Sequence, residues 1–337
     1  MKREARSLLP AVGVGSMSRL ALGSGGARGW AHIGALRALQ KAQIPVSYVA
    51  GSSIGAFVGG IYAAGQLDEL EGFVRQLDWK LLLSYFDLTF PNRGLLDGNR
   101  VYELLAEYLA DTRIEELEVP FCCVATDLLK NEALIFQSGS LVSAIRASIA
   151  IPGIFTPLEM ENTYLADGGV INPVPVDVVR QMGADVVLAI NLNRNFVAET
   201  VAKHIAAEES QGNITESEEK EEYLAQVQEG GIYGKIISAF QDKYQAIKEG
   251  IQQKLDRWAA PKEEGPNIFD VIGTAINIME QRITQSNFEL YPPDLLVEPD
   301  LTGFGIFDFH QADVLIQTGY HATRRGIPKL RQLLSGE

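Results

Sequence analysis

The pentapeptide Gly51-Ser52-Ser53-Ile54-Gly55 constrains the fold of this chain more than any other stretch. Val46 to Ala50 precede it, a short apolar run that reads as a buried strand. Ala56 to Ala64 follow, small and apolar, and read as a buried helix. A Gly-x-Ser-x-Gly between strand and helix is the pattern of a sharp turn that lifts a serine hydroxyl clear of a sheet. Side chains at Gly51 or Gly55 would collide where strand and helix pass closely. Ser53 would then sit at a helix N-terminus, where free N–H groups and the helix dipole favour developing negative charge. The chain has 32 glycines, so such a pattern also arises by chance. A plain turn capped by Ser52 or Ser53 is the competing reading.

Two further segments bear on that choice. Gly23-Ser24-Gly25-Gly26-Ala27-Arg28-Gly29 follows a strand-like run, Ser18 to Leu22. It opens a stretch from Trp30 to Ala42 in which Ile33, Leu36 and Leu39 recur at helical spacing. A glycine-rich turn into a helix exposes backbone N–H groups that can hold an anion. The dinucleotide fingerprint wants glycine at the sixth position, which here is Arg28, and no Gly-Lys-Ser/Thr follows. An oxyanion hole for acyl transfer fits better, with one donor typically worth ~2.7–4 kcal/mol in the transition state. Arg28 would brace this loop or meet a lipid phosphate. The third segment is Tyr164-Leu165-Ala166-Asp167-Gly168-Gly169-Val170, an aspartate at the end of an apolar run, which alone would mean only a turn.

Taken together, the three segments resemble the patatin-like phospholipase family. Its marks are a Gly-Gly-x-Arg/Lys-Gly loop, a Gly-x-Ser-x-Gly elbow and an Asp-Gly-Gly/Ala. They stand here as Gly25 to Gly29, Gly51 to Gly55 and Asp167 to Gly169, in the family's order. Arg146 to Gly153 and Asp308 to Tyr320 are similar to further family stretches, so the resemblance covers about residues 18–195 and 290–330. Ser24 departs from the pattern, in which glycine is common there. The resemblance implies a Ser–Asp dyad, with Ser53 as nucleophile and Asp167 as general base. It implies an oxyanion loop of Gly25, Gly26, Ala27, Arg28 and Gly29. Gly51, Gly55, Gly168 and Gly169 would support these. No metal and no cofactor are implied. A rival base is a histidine following the serine and an acid in chain order, as in α/β-hydrolases. His310 and His321 have that order but fall in a helical stretch; His32 and His204 are the remaining histidines.

Strand-like runs at Arg19–Leu22, Val46–Ala50, Val119–Ala125, Leu134–Phe136, Thr163–Ala166, Val186–Asn191 and Leu295–Val297 alternate with helical stretches. The clearest of these helices are Arg100–Leu109, Ser140–Ser148, Pro175–Met182 and His310–Arg325. The alternation predicts an α/β layered fold with a mostly parallel central sheet flanked by helices, plus a helical insert. Residues 1–17 form an N-terminal extension, 18–195 the catalytic core, 196–290 an acidic stretch and helical hairpin, and 291–337 the rest of the core. Cys122 and Cys123 are neighbours on one strand, so a disulfide between them is not expected.

The net charge is −14, and residues 199–229 hold nine glutamates against Lys203 and Lys220, or −7. That balance speaks against nucleic acid as a partner, whose binding needs a basic surface. Without a signal peptide or a long apolar run, the expected location is cytoplasmic. Within the insert, residues 232–258 repeat apolar side chains at steps of three and four, with Lys235, Lys243, Lys248, Lys254 and Arg257 opposite. A second helical run, Phe269 to Phe288, has Ile272, Ile276, Met279 and Ile283 on one side. The hairpin either packs both apolar faces on the core or offers 232–258 as a peripheral membrane contact. The function expected is a serine acyl hydrolase cleaving carboxylic esters of lipids, phospholipid or lysophospholipid. The alternative is a catalytically silent regulatory or binding protein on the same fold.

Overall fold

The computed structural model describes residues 18–77, 98–109, 111–194 and 268–335. They form one mixed sheet with helices on both faces. The strands are β1 (Ser18–Leu22), β2 (Val46–Ser52), β3 (Phe121–Asp127), β4 (Glu132–Phe136), β5 (Leu158–Met160), β6 (Thr163–Asp167), β7 (Val186–Ile190) and β8 (Leu295–Val297). The helices are α1 (Trp30–Lys41), α2 (Ile54–Ala63), α3 (Leu67–Arg75), α4 (Asn99–Leu109), α5 (Leu141–Ser148), α6 (Val176–Gln181), α7 (Ile268–Leu290) and α8 (Ala312–Ser335). The sheet runs β5-β6-β3-β2-β1-β7-β8, with β4 paired to β3. Its centre, β3-β2-β1-β7-β8, is parallel. β4 and β6 run antiparallel to β3, and β5 antiparallel to β6. The expected layered α/β fold is therefore the observed one.

Strand alternation explains why helices are needed on both faces. Leu20, Leu22, Val49, Leu188 and Ile190 enter the larger core with α1, α2, α3, α5 and α8. Their neighbours Ala21, Tyr48, Ala50, Val187 and Ala189 enter a second core with Val176, Val178 and Val179 of α6. Strands buried on both sides read as continuous apolar runs, as β3 and β7 do, and shorter apolar runs marked five of the other six. The missing one, β5, has three half-exposed or exposed residues and no such run. Cys122 and Cys123 point into opposite cores as free thiols.

The C-terminal helix departs from expectation. It runs on to Ser335 through Pro328 rather than ending near Arg325. A proline removes one helical hydrogen bond, but burial of Ile327 and Leu330 on either side holds the helix together. The insert boundary also moves. Residues 273–337 group with the core, so α7 from Gly273 onward belongs to it, not to a segment ending at 290. The expected apolar side of α7 is not its buried side. Gly273, Asn277, Glu280 and Thr284 are buried, whereas Met279 is 56 % exposed. The expected amphipathic helix over 232–258 and the acidic stretch at 199–229 lie outside the described residues.

Candidate active site

The register around β3 brings Ser53 and Asp167 together. β2 pairs with β3 as far as Ser52 opposite Val124. At the next residue β6 takes over, with Ala125 opposite Asp167. The residue after Ser52 and the last residue of β6 therefore meet across adjacent positions of one strand. Ser53 has φ 55° and ψ −124°, a strained conformation for a residue with a side chain. It is affordable because β2 and α2 touch backbone to backbone. A Cβ on Gly51 would lie 2.4 Å from the Gly55 carbonyl oxygen, and one on Gly55 would lie 2.2 Å from that of Leu22.

The Ser53 hydroxyl donates to Asp167 Oδ2 at 2.5 Å. Both residues are buried, at 4 % and 3 % exposure. The backbone on each side is held by its own bonds. The Ser53 N–H donates to Ser148 Oγ (2.9 Å), which in turn donates to the Val124 carbonyl (2.6 Å). Asp167 Oδ1 accepts from the Gly169 N–H (2.7 Å), and the Asp167 carbonyl accepts from Thr126 Oγ1 (2.7 Å). Burial pushes the Asp167 carboxyl up to about 8, the nearby Glu280 carboxylate adds to the rise, and the two bonds from Ser53 and Gly169 oppose it. A carboxylate so placed is a far stronger base than one in water.

The glycine loop lies along one side of this pair. Gly25 and Gly26 have φ 155° and 58°, and a Cβ at Gly26 would meet the Ile306 carbonyl oxygen at 2.5 Å. Three of the loop's amides are already used: Gly23 donates to Ile190, Ser24 to Pro173 and Ala27 to Ile306. Among the described residues, the N–H groups of Gly25 and Gly26 have no intramolecular acceptor. Gly29 makes room for Ile54, whose Cγ1 would lie 2.0 Å from a Cβ there. Arg28 is fully buried, so the sequence option of a lipid phosphate gives way to bracing. Its Nε donates to the Gly25 carbonyl (3.1 Å), and Nη2 donates to Asn193 Oδ1 (2.9 Å) and Asn277 Oδ1 (2.5 Å). Burial lowers its guanidinium to about 10, against the pull of Glu280.

Several residues here were missed in the sequence. Asn193 follows β7 and donates to Glu280 Oε2 (2.8 Å) and Ser24 Oγ (3.3 Å). Asn277 and Glu280 come from α7. The legible signal was the stripe Gly273, Asn277, Glu280 and Thr284, spaced 4, 3 and 4. Being polar, it reads as a solvated face. Glu280 is buried, and burial raises its carboxyl, opposed by bonds from Ser24 and Asn193 and by Arg28. No described histidine has the place of the alternative base. His310 and His321 are exposed. His32 is buried on α1, with Nε2 2.8 Å from the Gly23 carbonyl oxygen and its pKa lowered to about 4 by burial. His204 lies outside the described residues.

Comparison with known proteins bears on this arrangement. The patatin-like phospholipase model matches residues 20–180. An uncharacterized NTE family protein of Mycobacterium tuberculosis is 32 % identical over 319 residues, covering 89 % of this chain and 88 % of its own. The chain belongs to the patatin-like phospholipase family. The human patatin-like phospholipase domain-containing protein 6 is 36 % identical over 193 residues, which are 55 % of this chain and 14 % of that protein. Among solved structures, VipD from Legionella pneumophila superimposes with a TM-score of 0.43 at 14 % identity, covering 96 % of this chain and 67 % of VipD. Membership of this patatin-like family supports lipid acyl hydrolase activity in general. No described helix is long and apolar enough to cross a membrane.

Proposed function

We propose that the protein is a serine acyl hydrolase that cleaves carboxylic esters of phospholipids or lysophospholipids through Ser53 and Asp167. The observation that carries the reading is the buried 2.5 Å bond from the Ser53 hydroxyl to a carboxylate with raised proton affinity. Ser53 Oγ attacks the ester carbonyl carbon while Asp167 takes its proton. The acyl C–O bond then breaks, and the alcohol leaves with that proton. Water attacks the acyl-Ser53 ester with Asp167 again as base, releasing the fatty acid and restoring the hydroxyl. The Gly25 and Gly26 N–H groups would meet the oxyanion. Ala27, whose amide is engaged with Ile306, would act through loop shape. Arg28 braces the loop, and Gly29, Gly51, Gly55, Gly168 and Gly169 permit the close approaches. Asp167 acts here without a histidine because burial supplies the basicity that a solvated carboxylate lacks.

Fluorophosphonate labelling with peptide mapping tests this reading on wild type, Ser53→Ala and Asp167→Asn. Label on Ser53 is expected in the wild type and in neither variant, with phospholipid ester hydrolysis lost in parallel by at least about 10³-fold. A folded wild type without label would make the regulatory reading the better one. Label persisting in Asp167→Asn would assign the proton to another base.

A further inference from the structure

Resting on the Ser53–Asp167 reading above, we propose that Glu280 of α7 is a positioning residue of the hydrolytic site, which with Asn277 one turn earlier sets Asp167 and the glycine loop for catalysis. Nothing in the three family motifs contains either residue, and both sit on a helix outside the matched span of 20–180.

The geometry carries the proposal. α7 turns its polar stripe inward, so Asn277 and Glu280 reach the glycine loop and the Asp167 turn. Glu280 Oε1 packs against the backbone of Gly169; a Cβ there would lie 2.1 Å from it and 3.0 Å from Asp167 Oδ1. Gly169 is the residue whose amide holds Asp167 Oδ1. The second oxygen, Oε2, takes the Asn193 amide, and Ser24 adds a bond to the same carboxylate. Ser24 immediately precedes Gly25, and Asn277 holds Arg28 at the other end of the loop. Two side chains of one helix thus grip both ends of the loop and the support of the base.

The cost of this arrangement argues against packing as its purpose. A buried carboxylate is expensive, and an apolar side chain of similar volume would stabilise the fold better. The charged groups facing Glu280 are Arg28 from the glycine loop and Asp167 from the end of β6. Asn193 and Ser24, its direct partners, are neutral. One consequence follows for the reaction. A negative charge beside Asp167 favours its protonated form and makes the ionised form a stronger base.

The test is the pH dependence of kcat/KM for a short p-nitrophenyl ester and of the Ser53 labelling rate, on the full chain. The wild type should lose activity with falling pH through an acidic limb near pH 8. Glu280→Gln keeps an acceptor for Asn193 and can bond Ser24, but removes the charge. Its limb should move down by about one unit, with kcat lowered and KM unchanged. Glu280→Asp keeps the charge and should restore the limb to the wild-type side. Asn277→Ala should lower kcat without moving the limb. A folded Glu280→Gln protein with the wild-type limb and kcat would overturn the proposal. If that variant does not fold, the wild type alone decides: a limb in the ordinary carboxylate range, near pH 4, overturns it. A wild type never labelled at Ser53 overturns the hydrolase reading itself, whereas label with an unmoved limb overturns only the role of Glu280.

Discussion

Ser148 shows how much of this site depends on single hydrogen bonds. Ser53 lies one residue past the end of β2, and its N–H is held by a side chain. Its acceptor is the Ser148 hydroxyl, which passes the bond on to Val124. Ser148→Ala leaves the buried Ser53 N–H without its side-chain acceptor and takes one donor from the Val124 carbonyl. Losing one such partner costs ~1–3 kcal/mol. We expect stability in urea to fall by about that amount. Fluorophosphonate labelling should slow as well, because the elbow would relax from its strained φ of 55°. Labelling at the wild-type rate in a destabilised variant would mean that the strain is held elsewhere. The elbow and the Asp-Gly-Gly turn were legible in the sequence because sterics make them local: each needs glycine at fixed offsets. Ser148 and Glu280 were not, because a buried polar side chain carries no local mark of its partner. A glutamate in an exposed helix and one against Gly169 are spelled alike. Only the absence of lysine or arginine from the 273–284 polar stripe, together with Gly273, hinted at an inward face.

At the scale of elements, two glycines decide how α1 meets α8. A Cβ on Gly34 would stand 1.8 Å from the Ile316 carbonyl oxygen, and one on Gly319 would stand 1.9 Å from that of Ala31. The helices therefore cross with backbone against backbone, and neither side has a flexible atom to move away. This crossing also places the start of α1, and so the glycine loop ahead of it, since Trp30 Nε1 donates to the Phe309 carbonyl just before α8. Gly319→Ala should destabilise by ~1–3 kcal/mol or more, as overpacking does in cores. Gly72→Ala is the contrasting case. Gly72 is exposed inside α3, with nothing within 4 Å of a Cβ and no positive φ. There the helix propensity of alanine should add ~0.5–1 kcal/mol. Thermal or urea melting of the two variants checks both signs, and a Gly319→Ala protein as stable as wild type would show that the crossing opens freely. Neither glycine is conspicuous in the sequence, where helical periodicity predicts the helices but not how closely they approach.

At the scale of the whole molecule, the buried groups His32, Asp167 and Glu280 make stability depend on pH, and they act in opposite directions. His32 is held neutral, with its pKa lowered to about 4 from about 6.5 in the unfolded chain. Its contribution to stability is present above pH 6.5 and is lost as pH falls through about 4. Asp167 is raised to about 8 from about 3.9 unfolded, and Glu280 is raised in the same sense. Their contribution is present below the unfolded carboxylate values. It is lost as pH rises, for Asp167 through about 8. Between about pH 4 and 6.5 the histidine and the carboxylates therefore oppose each other. Above about 6.5 His32 no longer contributes to the slope, and the two carboxylates lower stability until Asp167 is fully ionised. The net charge of −14 adds a general repulsion that grows over the same range, so the wild-type slope alone does not isolate the site. Asp167→Asn does, because it leaves nearly the whole surface field in place. Its melting temperature should match that of wild type near pH 4 and exceed it progressively up to about pH 8.5, while esterase activity is absent throughout. A constant difference between the two proteins across that range would mean that Asp167 titrates alike in the folded and unfolded chain. In that event burial would not be the source of its basicity. A rising difference would show that the protein gives up stability at working pH to keep an aspartate reactive without a histidine, which is the trade expected where function requires a buried charge.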